Sequence, residues 1–166
     1  MSEYVYPVIM KLKGKNVVIV GGGSIALRKA RGFVGTGANI MIISPEINKE
    51  LLQLPCIQWR KKEFSADDIR DAHLIFAATN NQEVNQSVCQ SAHEFQWVND
   101  TSDSENSSFI TPAVVRKEQL LLTVSTSGAS PILAKEIKQE LEEKYAGYGK
   151  LVKEYAERRE KNESNR

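Results

Sequence analysis

The chain has 166 residues, 41% of them hydrophobic and 26% charged, with a formal charge of +1. This suits one domain with a small appendage, rich enough in apolar residues to bury a core. The near-zero charge argues against nucleic acid, no run of about eighteen apolar residues offers a spanning helix, and residues 1–7 lack a basic-then-apolar leader.

Residues 17–20 (Val-Val-Ile-Val) predict a buried strand that runs straight into Gly21-Gly22-Gly23. A helix is expected from Ser24 to about Val34, with Ile25, Leu27, Ala30 and Val34 turned inward, stopped by Gly35 and Gly37. Asn39–Ser44 is nearly all apolar, as in a parallel strand covered on both faces, and Pro45 closes it. Residues 47–52 suit a short helix and residues 57–60 an edge strand with Trp59 as a packing residue. Asp67 and Asp68 suit a helix start. Residues 74–78 predict another buried strand, Thr79-Asn80-Asn81 a stop and cap, residues 82–95 a helix, and Trp97-Val98 a short strand ending in Asn99-Asp100.

This alternation predicts an α/β fold, a doubly wound, Rossmann-like parallel sheet. After Asp100 the character changes. Residues 101–108 are polar, residues 109–115 and 120–125 are strand-like, and residues 116–119 form the turn between them. Ser130 and Pro131 open a helix whose Leu133, Ile137, Leu141 and Tyr145 repeat every fourth position, to Gly147. Two strands and one helix cannot bury their own apolar face, so it must lie on the first domain or on a second copy, and a second copy is the expectation. The expected division is 1–112 for a dinucleotide-binding domain, 113–147 for a dimerisation unit and 148–166 for a short charged tail, which begins as a short helix and frays over residues 163–166.

Strand, glycine turn and helix start together suit a dinucleotide pyrophosphate. Gly21 allows the tight turn, Gly23 lets the backbone approach the phosphates, and Ala26 keeps helix and strand close. The N–H groups of the helix start favour an anion. Glu46 lies two residues past the second strand, where a carboxylate often meets ribose hydroxyls. No lysine or arginine stands in that turn for a 2′-phosphate, so NAD is expected over NADP. Thr79 and Asn80, after small alanines at a later strand's carboxyl end, are placed to bond the cofactor. Asp100, at the same edge, can take a proton or orient a substrate. Thr126-Ser127-Gly128, before a helix, suit a substrate carboxylate. Each of these also has a plainer reading as a turn or helix cap. Cys56, Cys89, His73 and His93 form no local metal motif, and the two cysteines suit reduced thiols of a cytoplasmic protein. The glycosylation pattern at Asn106-Ser107-Ser108 has no secretory context.

The segments Val20-Gly21-Gly22-Gly23-Ser24-Ile25-Ala26-Leu27-Arg28-Lys29-Ala30, Ala77-Ala78-Thr79-Asn80, Val84-Asn85, Val98-Asn99-Asp100, Ser108-Phe109-Ile110-Thr111-Pro112 and Ser125-Thr126-Ser127-Gly128-Ala129-Ser130-Pro131 occur here in one order. In this order the chain resembles the precorrin-2 dehydrogenases, the NAD-dependent parts of siroheme synthases, over roughly residues 5–145. The glycine motif is generic; the later segments are more specific. The resemblance implies oxidation of precorrin-2, a tetrapyrrole, to sirohydrochlorin by hydride transfer to NAD, in a homodimer joined through the part matching 113–145. It implies Gly21, Gly23, Ser24 and Ile25 as the cofactor turn, Pro45 and Glu46 as the ribose loop, Thr79 and Asn80 as a further cofactor loop, and Asp100 as base or macrocycle-positioning group. Bifunctional relatives also insert iron and carry a further helical domain. This chain stops at Arg166, so dehydrogenase without strong ferrochelatase activity is expected. Two other readings compete: a dinucleotide-sensing regulatory module without chemistry, and a methyltransferase holding S-adenosylmethionine at the glycine turn.

Overall fold

A computed structural model describes residues 5–164. They fall into two compact units, one of residues Tyr6–Ile110 and one built mainly of residues from Thr111 onward.

The first unit holds a five-stranded parallel sheet in the order β3-β2-β1-β4-β5. The strands are β1 (Asn16–Val20), β2 (Asn39–Ser44), β3 (Ile57–Lys61), β4 (Leu74–Ala77) and β5 (Trp97–Asp100). Side chains of a strand alternate between faces, so β1 feeds two cores. Val17 and Ile19 join Ile40, Ile42, Leu74 and Phe76 on one face, beneath Ala26, Leu27 and Ala30 of helix α1 (Ser24–Arg31). Val18 and Val20 join Ile43, Ile75 and Val98 on the other, with Val88 of helix α2 (Gln82–Ser91). Helices on both faces explain why the central strands read as unbroken apolar runs.

Strand order sets where a ligand can sit. From β1 the chain moves outward to β2 and β3, then crosses back to β4 on the opposite side of β1. The carboxyl ends of β1 and β4 therefore flank a topological switch point, where open sheets of this kind form their binding crevice. The residues at those two ends are Gly21 and Ala78.

Several expected boundaries are corrected. Helix α1 ends at Arg31, because Gly32, Phe33 and Val34 donate to carbonyls three residues back and tighten the chain into turns. Its inward face is therefore Ala26, Leu27 and Ala30, while Ile25 and Val34 are exposed. Residues 47–52 hold only the 3-10 turn Leu51–Gln53, which extends one residue further, and the start at Asp67 and Asp68 is the 3-10 turn Ala66–Ile69, closed by a Ser65–Asp68 capping box. Helix α2 stops at Ser91, since Ala92 is extended, and this leaves Phe95 exposed.

The second unit pairs β6 (Ala113–Lys117) with β7 (Leu120–Val124), antiparallel, followed by α3 (Pro131–Lys144) and α4 (Tyr148–Ser164). Residues 109–112 are not strand. Phe109 instead sets its ring edge-on to Phe76, centroids 5.4 Å apart, in the first unit's core. The charged tail is a helix of 17 residues; positions 165 and 166, expected to fray, lie outside the described residues. No helix of the described residues is long and apolar enough to cross a membrane.

Candidate active site

The switch point carries a cleft of about 610 Å³, lined by the backbone of Gly21, Gly22 and Gly23, by Ser44 to Asn48, and by Thr79 and Asn80. That is within the range of small-molecule and cofactor sites. It brings together, from three separate parts of the chain, Gly21, Gly23, Pro45, Glu46, Thr79 and Asn80. Ser24 and Ile25 begin α1 beside it, both exposed.

Each wall has a local cause. Gly21 sits at φ +123°, and a Cβ there would lie 2.3 Å from the Ala78 carbonyl oxygen. Only glycine suits both that backbone conformation and that approach of the two strand ends. The turn is tied to β2 by Gly21 N–H donating to Ile43 O at 2.9 Å and by Asn48 N–H donating to Gly22 O at 2.7 Å. Gly23 differs: a Cβ there would meet nothing within 4 Å. Its bare backbone faces open space, and no side chain caps the α1 start that follows. Uncapped N–H groups at a helix start are the kind of donors that an anion can use.

A dinucleotide fits these residues on a second observation. Ser44, at the tip of β2 and 4% exposed, has a buried hydroxyl with no hydrogen-bond partner among the described residues. A polar atom of this kind at a cleft wall calls for a polar partner. The lining contains one carboxylate, Glu46, and no lysine or arginine.

Asp100 ends β5 beside Ala77 and is 4% exposed. Its Oδ1 accepts from the Ser102 hydroxyl at 2.6 Å, Ser102 N–H at 2.9 Å and Asp103 N–H at 3.3 Å. Its own N–H donates to Ser107 Oγ at 2.9 Å. Its Oδ2 faces the Cys89 thiol at 3.9 Å. Burial, and next the Asp100 charge, push that thiol up to about 11, so it stays protonated at neutral pH. This aspartate is held by one oxygen, with the other turned to a weak donor.

Two residues to which the sequence assigns no role complete the arrangement. Asn85, fully buried on α2, accepts at Oδ1 from Thr79 N–H at 3.1 Å and from the Thr79 hydroxyl at 2.7 Å, whose one proton has Asn81 O, at 2.9 Å, as its other acceptor. It donates from Nδ2 to Thr79 O at 3.2 Å and to Ser102 Oγ at 3.1 Å. The cleft wall and Asp100 thus share one hydrogen-bonded chain. In the sequence Asn85 stands out only within the Val84-Asn85 segment, which gives it no role.

Thr126, Ser127 and Gly128 belong to the other unit, in the loop before α3. The Thr126 hydroxyl is engaged with both backbone groups of Ser130, accepting from N–H at 3.0 Å and donating to O at 3.1 Å. Ser127 and Gly128 are exposed, both with positive φ. No cluster of three or more His, Cys, Asp or Glu among the described residues stands ready for a metal ion.

Comparison with known proteins gives this cleft a family. Residues 8–113 match the family described as "Putative NAD(P)-binding", and residues 122–144 the one described as "Sirohaem biosynthesis protein central". The precorrin-2 dehydrogenase of Bacillus subtilis is 40% identical over 139 residues, which cover 82% of this chain and 86% of that protein. The chain belongs to the precorrin-2 dehydrogenase family. A solved structure of SirC, a precorrin-2 dehydrogenase, is 33% identical with a TM-score of 0.79, covering 90% of this chain and 76% of that one. Siroheme synthase 3 of Aeromonas hydrophila is 36% identical, and the chain spans only 30% of its length. The family's printed names join a dinucleotide fold to siroheme chemistry in the two parts of the chain that the sheet and the α3 unit occupy.

Proposed function

We propose that this chain oxidises precorrin-2 to sirohydrochlorin with NAD, as a step of siroheme biosynthesis. The observation that carries this reading is a glycine-walled cleft at the sheet's switch point, in a chain that spans 86% of a precorrin-2 dehydrogenase at 40% identity. Gly21 and Gly23, with the N–H groups of Ser24 and Ile25, hold the pyrophosphate. Pro45 and Glu46 face the adenosine ribose. A carboxylate without a nearby cation repels a 2′-phosphate, which favours NAD over NADP. Thr79 and Asn80 hold the far half of the cofactor.

The reaction removes one hydride and one proton from precorrin-2, and NAD supplies the hydride acceptor. Asp100 receives the proton or orients the macrocycle. Its tethered Oδ1 fixes the carboxylate, while Oδ2 is the oxygen left for that work. Ser127 and Gly128, with Thr126 shaping their loop, take a substrate carboxylate. The division 1–112, 113–147 and 148–166 follows these roles. A homodimer through the middle part covers apolar side chains that are exposed in the single chain, among them Val114, Ile132 and Leu133. Both cysteines are free thiols, which suits a cytoplasmic setting.

Anaerobic mixing of the purified chain with NAD and precorrin-2 tests the reading. NADH absorbance rises with enzyme concentration; no rise above the enzyme-free control overturns it.

A further inference from the structure

The chain of hydrogen bonds from Thr79 to Asp100 has a geometry that ordinary packing of two neighbouring strand ends does not require. Thr79 lines the cleft, and Asp100 ends the adjacent strand. Between them stands a single carboxamide, wholly buried, with its oxygen accepting twice and its nitrogen donating twice. All four of its bonding positions are used. Turning the amide over would set its N–H groups against Thr79 N–H, so the orientation of Asn85 is unique. The amide donates to Ser102 Oγ, and Ser102 spends its own proton on Asp100 Oδ1 at 2.6 Å, the shortest of the bonds that link Thr79 to Asp100. Each member is therefore directed by the one before it.

We propose that Asn85 and Ser102 are positioning residues that couple occupancy of the dinucleotide cleft to the placement of Asp100. This rests on the reading of the cleft and of Asp100 given above. A ligand that draws Thr79 toward itself changes the two bonds Thr79 gives to Asn85. The buried amide has no spare acceptor or donor with which to absorb the change, so Ser102 and Asp100 follow. By reciprocity, a tetrapyrrole that engages Asp100 changes the affinity for NAD by the same factor as NAD changes the affinity for the tetrapyrrole.

The test measures that factor by calorimetry on the full chain. NAD is titrated with and without saturating sirohydrochlorin, the reaction product, chosen so that no turnover occurs. In the wild type the two dissociation constants differ by about fivefold or more. Ser102→Ala removes the link but leaves Asp100 its two backbone donors, so the factor falls to within about 1.5 of unity while the melting temperature of the free protein stays near the wild-type value. Ser102→Thr keeps a hydroxyl and keeps the factor. Asn85→Asp, which replaces both amide donors, loses the factor as Ser102→Ala does. An unchanged factor in Ser102→Ala overturns the coupling, and so does a wild type that binds both ligands independently, even if a variant fails to fold. A wild type that binds neither ligand defeats the functional reading itself, so the two failures are told apart by the first titration.

Discussion

Gly21 and Gly23 make opposite predictions although they stand two residues apart in one turn. At Gly21 an added methyl meets the Ala78 carbonyl oxygen at 2.3 Å and the Ala78 carbonyl carbon at 2.6 Å. Ordinary contact is about 3.4–4 Å, so the strand end must move by roughly an ångström. Overpacking of backbone costs about 1–3 kcal/mol. Placing alanine at φ +123° adds about 1–2 kcal/mol. Together these give roughly 2–5 kcal/mol, or on the order of 6–15 °C in Tm for a chain of this size. At Gly23 the methyl meets nothing within 4 Å, and the backbone, at φ −87° and ψ −162°, is one that alanine adopts freely. Gly23→Ala therefore leaves Tm within about 2 °C. On the proposed placement of the pyrophosphate it fills the space beside the phosphates and weakens NAD by at least about tenfold, or about 1.4 kcal/mol. Differential scanning fluorimetry and calorimetric titration of both variants decide the matter. A Gly23→Ala protein that binds NAD as well as the wild type refutes the pyrophosphate cradle. A Gly23→Ala protein that loses as much Tm as Gly21→Ala refutes the geometry of the turn.

Asp100→Asn keeps the shape of the side chain but cannot take a proton; it lowers turnover by at least about tenfold with NAD affinity within about twofold, and unchanged turnover removes Asp100 from the chemistry. Phe76→Ala deletes a fully buried ring packed edge-on against Phe33 and Phe109, at a cost of about 3–5 kcal/mol in urea unfolding; a loss under about 1 kcal/mol contradicts its place at the core. Lys29 gives a pH dependence. Burial, then the Arg28 charge, push its ammonium from 10.5 down to about 8. Below pH 8 folded and unfolded chains both hold the proton and the burial cost is complete. Between pH 8 and 10.5 the folded chain has released a proton that the unfolded chain retains, so stability rises with pH across that window. Lys29→Met lacks this rise. The wild-type urea midpoint, less that of the variant, therefore grows from pH 8 to about pH 10, and a difference that stays flat or shrinks is inconsistent with a buried ammonium.

The parallel sheet and the cleft are legible in the sequence for physical reasons. Strands covered on both faces must be apolar at nearly every position, so residues 17–20, Asn39–Ser44 and Leu74–Ala77 stand out from any helix of comparable length. The glycine turn is legible because φ +123° at Gly21 admits little else. Helix ends are less so. Val34 and Phe95 look like continuing helix because apolar residues are read as inward, yet both are exposed beyond the last turn. Phe109 has strand-like neighbours and still lies outside the strand, with its ring edge-on to Phe76. Helix α4 is hidden in a charged composition, where its support is local, as in the Arg159–Glu163 pair at 2.8 Å. The link between Asn85 and Ser102 is invisible for a different reason: a hydrogen bond across 17 positions of chain leaves no periodic trace.

The most direct measurement follows the hydrogen itself. Precorrin-2 carrying deuterium at the ring carbon that is oxidised is turned over anaerobically with unlabelled NAD, and the nucleotide is analysed by mass spectrometry. The account predicts NADH bearing one deuterium for each sirohydrochlorin formed. Sirohydrochlorin accompanied by unlabelled NADH, or by none, contradicts it.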